Sequence, residues 1–97
     1  EGGSGNGPYS LDLKSRRFTN LTPPKDSGQK YGRVAVRIFV DKNGVVVNAI
    51  PGVKGTTLSD KEIWEKCRLA VIGSSLNKLE SAPEVQIGVV MFNFKVK

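Results

Sequence analysis

The chain of 97 residues carries 15 Lys and Arg against 9 Asp and Glu, a net charge of +6 in the composition of one globular domain. A single cysteine excludes an intrachain disulfide and a thiolate metal cluster, and the lack of histidine removes the commonest general base and zinc ligand. The basic residues are scattered instead of interleaved with aromatics, which disfavours nucleic-acid binding. We therefore expect a protein that is not an enzyme, with no catalytic residues, cofactor or metal.

The N-terminal quarter of the chain changes character twice. Residues 1–8, EGGSGNGP, contain four glycines and predict a flexible linker, so the domain is expected to span residues 9–97. Tyr9, Leu11 and Leu13 then alternate with polar residues, which is typical of a short strand and predicts an extended segment over residues 9–19. Two adjacent prolines and several turn formers predict a loop over residues 20–31.

The clearest local pattern is a hairpin that begins at Gly32. Its first strand is indicated by four apolar residues at alternate positions, namely Val34, Val36, Ile38 and Val40. The pair Asn43-Gly44 is typical of a tight turn with positive φ at both residues, so Val45 to Ile50 is predicted to return antiparallel. Pro51 and Gly52 should end this second strand.

A helix is predicted from Ser59, which forms a capping-box pattern with Glu62. One apolar stripe follows, formed by Ile63, Trp64, Cys67, Ala70 and Val71, and Gly73 should end the helix. Cys67 and Trp64 are interpreted as core residues because both lie on this stripe. A reactive thiol is the functional alternative for Cys67, but no histidine is present to activate it.

The closing stretch VQIGVVMFNFKVK, residues 85–97, predicts a long last strand that is apolar on both faces. A crossover through the helix would place it beside the first hairpin strand, giving the order two, one, three. The predicted fold is α+β, with a small antiparallel three-stranded sheet, one main helix on one face, a ββαβ core and an extended N-terminal segment. The last strand is then a sheet edge, guarded by charge only at Lys95 and Lys97, with Gly88 as a possible bulge.

The hairpin GRVAVRIFVDKNGVVVNAIPGVKGTT, the helix with Ala70 and the final strand together resemble the C-terminal domain of TonB, a periplasmic energy transducer of Gram-negative bacteria. The positions that carry the hairpin part of this resemblance are Gly32, Val34, Val36, Ile38, Asp41 and Gly44. The resemblance covers residues 11–97. It implies a soluble periplasmic domain of a protein that is anchored in the inner membrane and coupled to motor proteins of the ExbB and ExbD type.

The resemblance also implies a partner and a site. In that family the domain binds the TonB box, an extended segment of an outer-membrane transporter, as an added strand beside its own last strand. Carried onto this chain, the peptide-binding residues are Gln86, Ile87, Gly88, Val89, Val90, Met91, Phe92, Asn93 and Phe94. No role is assigned to Arg16, Arg17 or Arg37.

Two alternatives to a partner-binding edge stay open at this point. The N-terminal segment from Tyr9 to Phe18 could cover Ile87, Val89 and Met91, or pair with the last strand itself. A second copy of the chain could occupy the same edge, which would make this a structural or self-association domain of an envelope protein with a weak homodimer.

Overall fold

The computed structural model describes residues 9–13, 15–24 and 31–94. Its elements are four strands and one helix: β1 Tyr9–Asp12, β2 Gly32–Asp41, β3 Val46–Pro51, α1 Lys61–Ile72 and β4 Val85–Phe94. The α+β class with one described helix and an antiparallel sheet is confirmed, and the sheet has the order β1-β4-β2-β3. The expected linker at residues 1–8, and Lys95 and Lys97 at the end of the last strand, lie outside the described residues.

The three-stranded sheet was a wrong expectation, because β1 adds a fourth strand. The order of the other three strands is as predicted, with β2 between β3 and β4. β1 pairs antiparallel with the far side of β4, from Tyr9 opposite Phe92 to Asp12 opposite Val89. The N-terminal segment is therefore part of the sheet.

β2 is the central strand, as its alternating sequence predicts. Val34, Val36, Ile38 and Val40 have no exposed surface, and they form the core with residues of β4 and α1. All ten residues of β2 pair with β4, without a register shift. Gly88 therefore makes no bulge in this pair.

The hairpin between β2 and β3 forms where expected, but its turn differs. Gly44 has φ 90° whereas Asn43 does not have positive φ, so only one residue is left-handed. The N–H of Gly44 donates to the carbonyl of Asp41, and the N–H of Asp41 donates to the carbonyl of Val45. This is the bonding of a three-residue connection closed by a left-handed glycine. A bulge follows, because Val47 has no partner between the Phe39–Asn48 and Val40–Val46 pairs.

The loop after β3 satisfies the part of β2 that β3 does not reach. The hydroxyl of Thr56 accepts from the Ala35 N–H at 2.9 Å, and that of Thr57 accepts from the Arg33 N–H at 2.8 Å. The N–H groups of Gly52 and Thr57 donate back to carbonyls of β2. Both sides of β2 are thereby hydrogen-bonded near its start.

Helix α1 begins one residue later than the capping-box pattern predicts. Asp60 is the N-cap, and its carboxylate accepts from the N–H of Glu62 at 2.9 Å and from that of Ile63 at 3.4 Å. Aspartate and serine are comparably good caps, so the sequence alone did not separate Ser59 from Asp60. Ile63, Cys67 and Val71 of the predicted stripe are buried in the core, whereas Trp64 packs against it half-buried and Ala70 is half-buried. Gly73 is the C-cap.

Helix α1 and the N-terminal segment each bury part of the same face of the sheet. α1 packs against β3 and β2. The apolar residues of the N-terminal segment pack against the same core beside β4, and they are Tyr9, Leu11, Leu13, Phe18 and Leu21. The core thus has one half closed by a helix and one half closed by β1 and the irregular segment after it.

Candidate functional site

The nine predicted site residues all lie in β4, and they alternate between the two faces of the sheet. Val90, Phe92 and Phe94 are buried in the core. Ile87, Val89 and Met91 face the other side, where Ile87 is 59 % exposed. The alternative in which the N-terminal segment covers this second face is wrong, since Tyr9 and Leu11 stand opposite Phe92 and Val90 and pack on the helix side with them. The alternative in which the segment pairs with the last strand is confirmed.

The outer ladder of β4 is occupied over part of its length. β1 pairs with Val89 to Phe92, whereas β2 pairs with the whole strand from Val85 to Phe94. The expectation that the last strand is a sheet edge is therefore wrong over these four residues. The physical reason is that the unpaired N–H and C=O groups of β4 are satisfied by the chain's own N-terminal strand.

Aromatic contacts fix the first residue of β1. The ring of Tyr9 meets that of Phe18 edge to face, with centroids 5.7 Å apart, and lies 6.2 Å from the ring of Phe92. Edge-to-face and tilted pairs at these distances are favourable. Tyr9 consequently joins β1, the segment after β1 and β4 on the buried face.

Gly88 provides room for the chain that follows β1. A Cβ added to Gly88 would collide with Cγ of Leu13 and would lie 2.8 Å from the carbonyl oxygen of Asp12. Real Cβ atoms do not approach other atoms so closely, so no side chain fits at this position while Leu13 stays in place. Leu13 can thus pack against β4 only because residue 88 has no side chain.

Arg16 anchors the segment that follows, although nothing in the sequence pattern indicated it. The residue is buried, at 7 % exposure, and its guanidinium donates three hydrogen bonds. Nε donates to Oε1 of Gln86 at 2.7 Å, Nη1 to the carbonyl of Asn77 at 2.7 Å, and Nη2 to the carbonyl of Asp41 at 2.8 Å. One side chain therefore connects the N-terminal segment to β4, to the chain after α1 and to the hairpin turn.

Backbone bonds extend this anchor over the next residues. The N–H of Arg17 donates to Oδ1 of Asn77 at 2.7 Å, and Nδ2 of Asn77 donates to the carbonyl of Ser15 at 3.1 Å. The N–H of Thr19 donates to the carbonyl of Ser75 at 2.9 Å. Residues 15–19 are thus attached mainly to the segment after α1, while residues 9–13 are attached to β4.

The face opposite α1 carries apolar and basic residues side by side. Val85, Ile87 and Ile50 are 47 %, 59 % and 41 % exposed on strands that flank β2. Arg37 lies between them, paired with Ile50 on one side and Val89 on the other. Within the described part of the chain, its guanidinium makes no hydrogen bond or ion pair.

Cys67 is a core residue, which confirms the prediction. Its side chain has no exposed surface, and burial raises the pKa of its thiol to about 12. The thiolate, which is the nucleophilic form, is therefore disfavoured at neutral pH. Residues 9–13, 15–24 and 31–94 also contain no cluster of three potential metal ligands.

Comparisons with known proteins give no further assignment, since no protein-family model, curated protein or solved structure matches the chain. Within the described residues no helix is long and apolar enough to cross a membrane.

Proposed function

We propose that this chain is the periplasmic C-terminal domain of a TonB-type energy transducer, which binds the TonB box of an outer-membrane transporter by β-strand addition. The proposed site is the outer ladder of β4 over residues 86–94. In this role the domain transmits pulling that derives from the proton-motive force and so drives substrate import. The proposal places a membrane anchor and the contacts with ExbB- and ExbD-type motor proteins upstream of Glu1.

The observation that supports the site is that the outer ladder of β4 already carries an added strand. β1 reaches it from the other end of the chain and pairs in a continuous register over four residues. The groups on this side of β4 are thus positioned to accept an extended segment, with a buried apolar face beside them at Val90 and Phe92. This is what strand addition requires of a receiving sheet.

Elementary energetics indicate weak binding. Four to six ladder hydrogen bonds contribute roughly 1 kcal/mol net each, and the ordering of a disordered peptide offsets part of this gain. The result is a dissociation constant on the order of micromolar. Such an affinity suits a transducer that must release its transporter after each pull.

The test is a titration of a synthetic transporter N-terminal peptide, containing its box, into isotopically labelled protein. The first amide shifts are expected within residues 86–94. A matched peptide with proline at alternate positions cannot form a ladder and should produce none. Shifts confined to β3 or to α1 would contradict the site.

A second experiment acts on the protein. Val90→Pro removes a backbone donor from β4 and should abolish binding. Since it also disturbs the core, thermal melting has to show that the variant is folded. Sedimentation at several concentrations tests the other candidate function, self-association through β4, which predicts a stable dimer without peptide.

A further inference from the structure

We propose that β1 is a built-in occupant of the partner site, and that the partner binds β4 by taking the place of β1. This inference rests on the function proposed above. It adds a regulation of the site and a description of the peptide that fits it: an extended segment, antiparallel to β4, with large apolar residues at alternate positions.

The two strands cannot share the ladder. β1 occupies Val89 to Phe92, which leaves only Asn93 and Phe94 unpaired at one end of the described strand. Beyond the other end, Leu13 and the carbonyl of Asp12 lie against Gly88, and Arg16 is bonded to Gln86. A partner strand that needs four or more pairs therefore has to remove β1.

β1 is attached in a way that permits removal. It pairs with β4 alone, and no strand among the described residues pairs with its other side. Tyr9, Ser10 and Leu11 are only half-buried, and Asp12 is exposed. The loss of β1 would leave the pairs of β4 with β2, and of β2 with β3, unchanged.

Release of β1 from β4 would end at Ser15. Ser15 has φ 65°, the one left-handed backbone among the described non-glycine residues, and it stands between β1 and the anchored segment. Arg16 follows at once, with its three hydrogen bonds outside β1. Residues 9–13 can consequently leave β4 while the chain after Ser15 keeps its bonds.

The side chains that β1 buries specify the partner. Tyr9 lies against Phe92 and Phe18, Leu11 stands opposite Val90, and Leu13 fills the space at Gly88. Ser10 and Asp12 alternate with them on the open face. A peptide that replaces β1 should therefore carry a large ring or aliphatic group at one position and aliphatic groups two and four residues later.

The exchange can be blocked by a disulfide. Ser10 and Met91 are directly opposite each other on the open face, at a spacing that a disulfide can bridge. The lock is Ser10→Cys with Met91→Cys in a Cys67→Ala background. The matched control is Arg33→Cys with Asn93→Cys, which joins β2 to β4 on the same face and leaves β1 free.

Two probes are titrated into the 97-residue chain: the transporter box peptide, and a synthetic copy of residues 8–15, PYSLDLKS. Oxidation of the lock should weaken binding of both by about tenfold or more, since the competent state is removed, and reduction should restore it. Oxidation of the control pair should change neither. Leu11→Ser, which weakens the chain's own β1, should tighten binding of both peptides several-fold.

Equal binding of the box peptide to the oxidised and reduced lock, with shifts in β4, would overturn the exchange and leave the proposed function standing. Lock-sensitive binding of PYSLDLKS without any binding of the box peptide would support the exchange and refute the proposed function. A concentration-dependent dimer that oxidation of the lock abolishes would refute the proposal that the incoming strand belongs to another protein. The incoming strand would then be β1 of a second copy of this chain.

Discussion

β4 has two neighbours in the sheet, and they are held very differently. On one side β2 pairs with all ten of its residues, and the side chains that the two strands direct into the core are almost free of solvent. On the other side β1 pairs with four residues; its first three residues are half-buried and Asp12 is exposed. β4 thus has one neighbour that is paired along the whole strand and one that is paired over four residues and more exposed.

The free energies of docking on β4 explain why β2 is held more firmly than β1. Half-burial of each of the apolar side chains of β1 contributes about 1 kcal/mol, and each ladder bond about 1 kcal/mol more. Ordering the backbone costs about 1 to 2 kcal/mol per residue, so the docking of β1 is close to balance. β2 gains the same bonds together with complete burial on the core side, and its balance is strongly favourable.

The largest expected decrease in the free energy of unfolding is for a substitution in β2. Ile38→Ala leaves a cavity beneath a side chain with no exposed surface and should lower the free energy of unfolding by about 2 to 5 kcal/mol. Urea denaturation measures this change. Ile50→Ala, on the open face of β3, is the matched control, and an equal loss for both variants would remove the contrast between core and surface.

The next largest loss of stability is expected on substitution of Arg16, which anchors the N-terminal segment. Arg16→Met removes three hydrogen bonds and leaves the carbonyls of Asn77 and Asp41 without this donor, a loss of about 3 kcal/mol. Arg17→Met serves as control, because the bond of Arg17 to Asn77 comes from its backbone N–H. If the two substitutions lower the urea midpoint equally, Arg16 does not anchor the segment.

Gly88→Ala tests the β1 side alone. The new methyl group would collide with Leu13 and with the carbonyl of Asp12, at a cost of about 1 to 3 kcal/mol. Amide exchange should become faster in β1 while β2 keeps its protection. Adding Leu13→Ala should recover part of the loss, since it removes the closer of the two collisions. Faster amide exchange throughout β2 would show that Gly88→Ala destabilises both neighbours of β4 and not β1 alone.

At neutral pH the smallest effect is expected for the Cys67 thiol, because its ionisation affects stability only at alkaline pH. Burial raises the pKa of the Cys67 thiol from an ordinary 9.0 to about 12, so the unfolded chain ionises first. The contribution of this thiol is complete below pH 9.0 and is lost as the pH rises toward about 12. The free energy of unfolding should therefore decline over this window more steeply in the wild type than in Cys67→Ala. Parallel declines would contradict a buried thiol.

Local sequence patterns were sufficient for β2, the hairpin, α1 and β4, because each depends on periodicity or turn residues within a few positions. The pairing of Tyr9 with Phe92 joins distant parts of the chain, and no local signal specifies it. The alternation at residues 9–13 predicts a strand but does not specify which side of the sheet that strand joins. The burial of Arg16 has no local signal, because arginine is normally solvated and its three acceptors come from separate segments of the chain.

The same arginine sets a mechanical limit. Tension applied ahead of Tyr9 would load the β1 ladder first, and release of this ladder would free residues 9–13 from β4. Fully extended, these five residues span roughly 17 Å. Beyond that length the tension passes to Arg16, whose bonds join the hairpin turn, the chain after α1 and β4. A pull of this kind lengthens the tether by a fixed amount before it strains the core.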